Sequence, residues 1–392
     1  MGAGKESLPG GGAWELDGPE VDALLIIATS EANSDLYYAT RFLAPDPFAY
    51  VRSREGSFVI MSDLEYGRAR AQARVDEVLS LSHYEEQLRC RGAAEPTLLD
   101  VLDEVLRERG LKRLLVPAAF PLEQADGLRE RSYTVRSKKD PFFPERLVKS
   151  HEEVAYILET QRHTEAAFDA AVQALRAAEI RGDTLVLDGE VLTSEGMKRL
   201  INLKLMEQGC VAQHTIVACG NQGVDPHHEG AGPLRPHQSI IFDIFPRSAH
   251  TRYFADMTRT VVKGRAPDPL KRLYATVLEG QLLGISLVRA GAAGAEIHQA
   301  IHALFEQRGY RTGLQGGRMQ GFFHGTGHGL GLDIHEPPRI SRVAWTLQRG
   351  NVVTVEPGLY YWDVGAVRIE DMVLVEGDGC RNLTSYPKFL EV

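Results

Sequence analysis

Residues 240–260 read IIFDIFPRSAHTRYFADMTRT. Asp243 stands among Ile240, Ile241, Phe242, Ile244 and Phe245. A carboxylate inside an apolar strand is costly to desolvate unless an ion pair, a proton or a metal neutralises it. Asp256 repeats the placement, ahead of a Thr-Arg-Thr strand. If the two strands form a hairpin, with residues 246–250 at its tip, both carboxylates face one point. Taken singly, either aspartate reads as well as a structural residue, a turn cap or half of an ion pair, as it does as a ligand.

Two further stretches carry the same signature. Residues 322–338 read FFHGTGHGLGLDIHEPP and place His324, His328 and His335 among glycines. Glycine lets backbone approach a crowded site, and imidazole is a usual ligand for zinc, cobalt or manganese. A lone histidine is most often a satisfied core residue; three in one Gly-rich segment point to chemistry. Downstream, VVTVEP ends an apolar strand at Glu356, and VRIEDM embeds Glu370 with Arg368 on the same strand face. Asp243, Asp256, His328, Glu356 and Glu370 therefore form a candidate metal cage. Hard oxygen donors with one imidazole and no thiolate suit two divalent ions, manganese first, cobalt or zinc next. Such a pair activates water and polarises a carbonyl.

Around these stretches the chain alternates helices and strands. Its 392 residues suit two domains rather than one core. A flexible Gly-rich tail is expected over residues 1–16, a smaller α/β domain over 17–145 and a larger α+β domain over 146–392, with the prolines of residues 140–144 as linker. In the first domain ALLIIA (23–28) predicts a strand, residues 57–61 another, 96–110 a helix, 114–116 a strand, and a helix follows Pro121, giving a partly parallel sheet. In the second, helices are predicted over 151–178, 194–207, 269–289 and 294–309, and strands over 214–219, 239–245 and 253–262.

A net charge of -9 and the lack of a basic stripe argue against nucleic-acid binding. No run of about 18 apolar residues predicts a membrane span. The N-terminus does not read as a secretory signal. Cys90, Cys210, Cys219 and Cys380 are scattered, so a cytoplasmic chain without disulfides is expected.

The five candidate ligands, in the order Asp, Asp, His, Glu, Glu, resemble those of the pita-bread metallopeptidases: aminopeptidase P, prolidase and methionine aminopeptidase. The resemblance is strong over residues 146–392. NSDLYYATRF (33–42) is similar to the start of the creatinase-type N-terminal domain. That domain, His324 and Arg368 all point to the Xaa-Pro-cleaving branch, because methionine aminopeptidases usually lack the first two and carry Gln in place of the arginine. Unlike creatinase and the chaperone-like relatives, this chain keeps every ligand. It departs from the family in a longer connection between Asp243 and Asp256. His250 and Arg252 in that connection read as substrate contacts or as ordinary exposed residues.

The resemblance implies a pita-bread catalytic domain behind the creatinase-type one, two divalent ions, a homodimer, and hydrolysis of peptides with proline at the second position. An Xaa-Pro dipeptidase is favoured over an aminopeptidase P acting on longer peptides, since Arg368, Arg252 and His250 could supply cationic groups for a dipeptide carboxylate, with a non-catalytic binding protein as the reading from another class. It also implies that Asp243 and Glu370 bridge the ions, that Asp256 completes one and that His328 and Glu356 complete the other. Glu356 would shuttle the proton. His335 and a histidine ahead of Asp243 would contact substrate, His227 being favoured over His228. His324 would line the proline pocket, Arg368 would orient Glu370 or hold a substrate carboxylate, and Thr258 would support the ligands.

Overall fold

The computed structural model describes residues 20–392, so the tail expected over 1–16 lies outside the described residues. The chain divides into two compact units between Arg146 and Leu147.

In the first unit ALLIIA forms the strand Ala23–Ala28. It is apolar at every position because both its faces are covered. Ala23, Leu25 and Ile27 pack in one cluster with Val101, Leu102, Val105 and Leu106 of the helix Leu98–Glu108. Leu24 and Ile26 pack in another with Leu36, Phe42, Phe142 and Phe143. That helix starts at a capping box between Thr97 and Asp100. The six-stranded sheet is mixed. Its order is Glu77–Ser80, Gly56–Met61, Phe48–Ser53, Ala23–Ala28, Arg113–Pro117, Thr134–Lys138. The outer pairs and the Ala23–Ala28/Arg113–Pro117 pair are parallel, and the two remaining pairs are antiparallel. The helices Asp63–Gln72 and Leu81–Cys90 were not expected; the first fully buries only Ala69, and the second packs Leu81, Tyr84 and Leu88 against the core only partly buried.

In the second unit two helix pairs each cover one group of strands. The helix His151–Ala177 opens with a capping box between Ser150 and Glu153. With Ser194–Glu207 it packs on the three-stranded antiparallel sheet Ile216–Cys219, Ile240–Ile244, Met257–Val261. The helices Asp268–Leu287 and Gly294–Gln307 pack on the five-stranded sheet Glu336–Ile340, Gly327–Gly329, Val352–Val355, Asp371–Val375, Cys380–Asn382.

The hairpin holding Asp243 and Asp256 is tighter in its strands and longer in its connection than expected. Ile244 already pairs with Met257, and residues 253–256, expected as strand, belong to the connection. They leave the ladder because the connection finds other partners. Arg247–Ser248 pairs with Cys210–Val211, and the Phe254 N–H donates to the Gly331 carbonyl at 2.8 Å.

The two strand groups meet edge to edge beside this hairpin. The Glu370 N–H donates to the Thr258 carbonyl at 3.1 Å, and Thr260 Oγ1 donates to the Arg368 carbonyl at 2.9 Å. Behind the seam the Arg259 guanidinium donates to the Glu370 carbonyl and to Asp371 Oδ1, with both charged side chains almost wholly buried. Among the described residues no helix is long and apolar enough to cross a membrane.

Candidate metal centre

The register of the hairpin aims its acids. Asp243 lies opposite Thr258; cross-strand partners share a face, and Asp256 lies two residues from Thr258, so all three side chains project the same way. His328 arrives on the strand Gly327–Gly329, whose close approach requires glycine: a Cβ on Gly327 would stand 1.9 Å from the Thr354 carbonyl oxygen. Glu356 follows the strand Val352–Val355, and Glu370 sits between Gly365–Arg368 and Asp371–Val375.

These elements bring donor atoms of Asp256, His328 and Glu370 all within 4.8 Å of one another, and all three residues are buried. His328 Nε2 lies 3.3 Å from Glu356 Oε1 and 3.6 Å from Asp256 Oδ2. The other nitrogen, Nδ1, lies 3.1 Å from the Gly329 carbonyl, which leaves Nε2 as the ligating atom. Thr258 Oγ1 donates to Glu370 Oε2 at 2.8 Å, while Glu370 Oε1 is buried without a hydrogen-bond partner among the described residues. Asp243 is held by Arg368, at 2.6 Å from Nη2 to Oδ2.

Burial and mutual repulsion dominate the electrostatics of the cluster. Burial, then repulsion from Glu370, Asp243 and Glu356, pushes the Asp256 carboxyl well above its ordinary range. Burial and repulsion raise Glu370 to about 8, with Glu356 and Asp243 the repelling groups, and burial foremost raises Glu356 to about 7. Burial lowers His328. Four carboxyls crowded around one imidazole, with an orphaned buried oxygen on Glu370, fit divalent cations.

All five candidate ligands line one cavity of about 900 Å³, together with His227, His324, His335 and Arg368. The His335 ring stands edge-on to His328, centroids 4.4 Å apart; burial, then His328, lowers it to about 4. His228 turns away, its Nδ1 accepting from the Gly230 N–H, and only His227 of the two reaches the cavity. His324 Nε2 lies 2.9 Å from the Tyr360 hydroxyl and Nδ1 lies 2.7 Å from the Gly325 carbonyl; burial foremost lowers it to about 3.

Arg368 departs from expectation. It orients Asp243 rather than Glu370, and it also donates to Thr258 Oγ1, Tyr360 Oη and the Pro226 carbonyl. A guanidinium so occupied has no fork left for a substrate carboxylate. His250 and Arg252 do not line the cavity. Sequence reasoning missed Arg339, which does. It lies directly opposite His328 in the strand Glu336–Ile340 and makes no ion pair among the described residues. The alternation of EPPRI was the available signal: Glu336, Pro338 and Ile340 are buried, and Pro337 and Arg339 face the other way. Tyr360, fully buried, was missed as well.

The sequence profile of metallopeptidase family M24 matches residues 155–377, and that of the creatinase/prolidase N-terminal domain matches 15–139. The chain is 24% identical to the Xaa-Pro dipeptidase of Pyrococcus horikoshii, over 94% of each chain. Its fold is shared with the Xaa-Pro dipeptidase from Bacillus anthracis (TM-score 0.81, 24% identity, 96% and 97% covered). It is also shared with the X-Pro aminopeptidase from Thermotoga maritima (TM-score 0.79, 24% identity, 95% and 98% covered).

Proposed function

Since the chain belongs to metallopeptidase family M24, we propose that it is an Xaa-Pro dipeptidase, hydrolysing the bond that precedes a C-terminal proline. The observation that carries this reading is Arg339, a cation that makes no ion pair among the described residues and stands in the wall of the cavity that holds the acid cluster. A dipeptide places its C-terminal carboxylate within one residue of the scissile bond, and a guanidinium beside the cage is the matching group. The dipeptidases among its relatives add support.

Asp243, Asp256, His328, Glu356 and Glu370 would hold two divalent ions, manganese first, which when bound polarise the scissile carbonyl and acidify water. The chain's own residues do the rest. Glu356, at the cavity edge of the cage, takes the proton from the attacking water and returns it to the proline nitrogen. That nitrogen is a tertiary amide without an N–H, so nothing else on the substrate can supply the proton. His335 and His227 donate to the carbonyl oxygen as charge develops on it. Both ring nitrogens of His324 are engaged, so it presents an edge, beside Phe323, as a wall for the proline ring. Arg368 fixes the Asp243 carboxylate.

The second reading, an aminopeptidase acting on longer Xaa-Pro peptides, is favoured by cavity size: about 900 Å³ exceeds what a dipeptide fills. Turnover of Ala-Pro against a longer Xaa-Pro peptide, with manganese added and bound metal measured, separates the two. Preference for the longer substrate would overturn the dipeptidase reading. Cytoplasmic placement is supported by the four free thiols Cys90, Cys210, Cys219 and Cys380. The homodimer is carried over from the family.

A further inference from the structure

Gly331, in the loop that leads to His335, is a junction. Its carbonyl accepts from the Phe254 N–H at 2.8 Å, and its own N–H donates to the Asp333 carbonyl at 3.0 Å. The space where its side chain would stand is filled. A Cβ there would lie 2.8 Å from Glu336 Oε1 and 3.0 Å from Lys149 Cε.

Those atoms belong to an ion pair between Lys149 and Glu336, whose side chains are only 2% and 7% exposed. Lys149 is anchored in turn, its N–H donating to the Gly350 carbonyl at 2.8 Å. Glu336 begins the strand Glu336–Ile340 and lies opposite Gly329, the residue after His328. It also follows His335 directly in sequence. The pair is therefore one peptide bond from a side chain that faces the cage.

His335 has little else to hold it. Its ring makes an edge-on contact with His328 and no hydrogen bond among the described residues. Where it points is decided by its backbone, and that backbone is fixed by the Glu336 side chain on one side and by Gly331–Phe254 on the other. Burying a lysine and a glutamate adds little to stability compared with two apolar residues of the same volume. Its effect is directional: the carboxylate has one place to be.

We propose that the Lys149–Glu336 pair positions His335 against the substrate, Lys149 acting as a positioning residue through Glu336. The proposal rests on His335 contacting substrate, as described under Proposed function.

The experiment compares Lys149→Met, Lys149→Arg, Gly331→Ala, His335→Ala and the Lys149→Met/His335→Ala double variant. It measures kcat and KM for Ala-Pro with manganese, bound metal per chain, and the histidine ring 15N signals of the metal-free protein. A displacement of His335 by about 1 Å is worth up to ~100-fold in rate. Lys149→Met is expected to lower kcat 10- to 100-fold, on the order set by that displacement. Bound metal should be unchanged, the His335 ring signal should move and that of His298 should not. Lys149→Arg should recover most of kcat. Gly331→Ala keeps both charges but crowds the pair, and should reproduce the loss even if Lys149→Met does not fold.

In the His335→Ala background the Lys149→Met change should cost nothing further. An equal loss there, a parallel loss of metal, or an unmoved His335 signal would each overturn the proposal. If His335→Ala leaves turnover intact while Lys149→Met still moves the ring signal, positioning stands and the substrate-contact reading of His335 fails.

Discussion

Arg368 and Asp243 are bound side chain to side chain at 2.6 Å, 5% and 14% exposed, in the wall of the acid cluster. Burial and mutual repulsion raise Asp256 and Glu356, and the guanidinium opposes that rise. Arg368→Ala is expected to cost 10- to 100-fold in metal affinity, the usual size for a group that orients a ligand. Arg368→Lys should recover only part, since one ammonium cannot serve Asp243, Thr258 and Tyr360 together. Titration of activity against free manganese reads the effect as a shift in the half-saturating concentration.

The same repulsion makes a prediction about stability. Without cations the carboxyls of Asp256, Glu356 and Glu370 sit above their ordinary range, so the folded chain gains whatever affinity the cage has for metal. At a free metal concentration near 100 times Kd the gain is about 2.7 kcal/mol. For a domain of this size that corresponds to a rise in melting temperature on the order of 5–10 °C. A thermal scan with chelator, then with manganese restored, measures it. An unchanged melting temperature would count against the cage.

Much of this centre was legible in the chain. Acids stranded in IIFDIF and VRIEDM betray themselves because apolar neighbours make an unneutralised charge expensive. ALLIIA was legible as a strand, although its burial on both faces shows only once helix Leu98–Glu108 is seen to cover one of them. What was not legible is who pairs with whom across long sequence separations. Arg368 lies two residues from Glu370 yet binds Asp243, because the edge-to-edge seam puts Asp243 within reach of its fork. Arg339 meets His328 only through a register that shifts between His328 and Gly329. Lys149 finds Glu336 across a sequence separation of 187 residues. Register and seam are tertiary facts, and no local pattern encodes them.

Thr258→Val tests the support of Glu370. The change is nearly isosteric but removes the donor to Oε2, leaving both glutamate oxygens without a protein hydrogen bond. It also removes the acceptor for Arg368 Nε, 3.3 Å away. The expected result is a 10-fold or greater loss of metal affinity, with a KM for Ala-Pro at saturating metal close to that of the unmodified chain. Isothermal titration of manganese into the metal-free variant measures the first, and steady-state kinetics the second.

His298, hydrogen-bonded outside the acid cluster, gives a pH dependence of its own. It is buried, its Nδ1 lies 2.9 Å from Thr326 Oγ1, and burial, then Arg342 and His302, lowers it from 6.5 to about 4. Between those values the unfolded chain binds a proton that the folded chain refuses. The stability from this group is therefore complete above pH 6.5 and is lost as pH falls toward 4. His298→Asn keeps a polar partner for Thr326 and cannot titrate. Urea midpoints measured across that window should fall more steeply for the unmodified chain than for the variant, and parallel curves would show that His298 does not carry the slope.

Arg339 is expected to decide substrate length. It stands opposite His328 in the ladder, unpaired among the described residues, in the cavity that holds the acids. In a dipeptide the proline carboxylate sits beside the scissile bond, and a charged hydrogen bond there is worth about 1.5–3 kcal/mol, or roughly 10- to 150-fold in kcat/KM. Arg339→Met keeps the length of the side chain and removes the charge. It should raise KM for Ala-Pro by that factor and leave a longer Xaa-Pro peptide, whose carboxylate lies elsewhere, nearly unaffected. Equal losses on both substrates would assign Arg339 to the cage rather than to the carboxylate. No loss on either would remove the main support for a dipeptidase and favour the aminopeptidase reading.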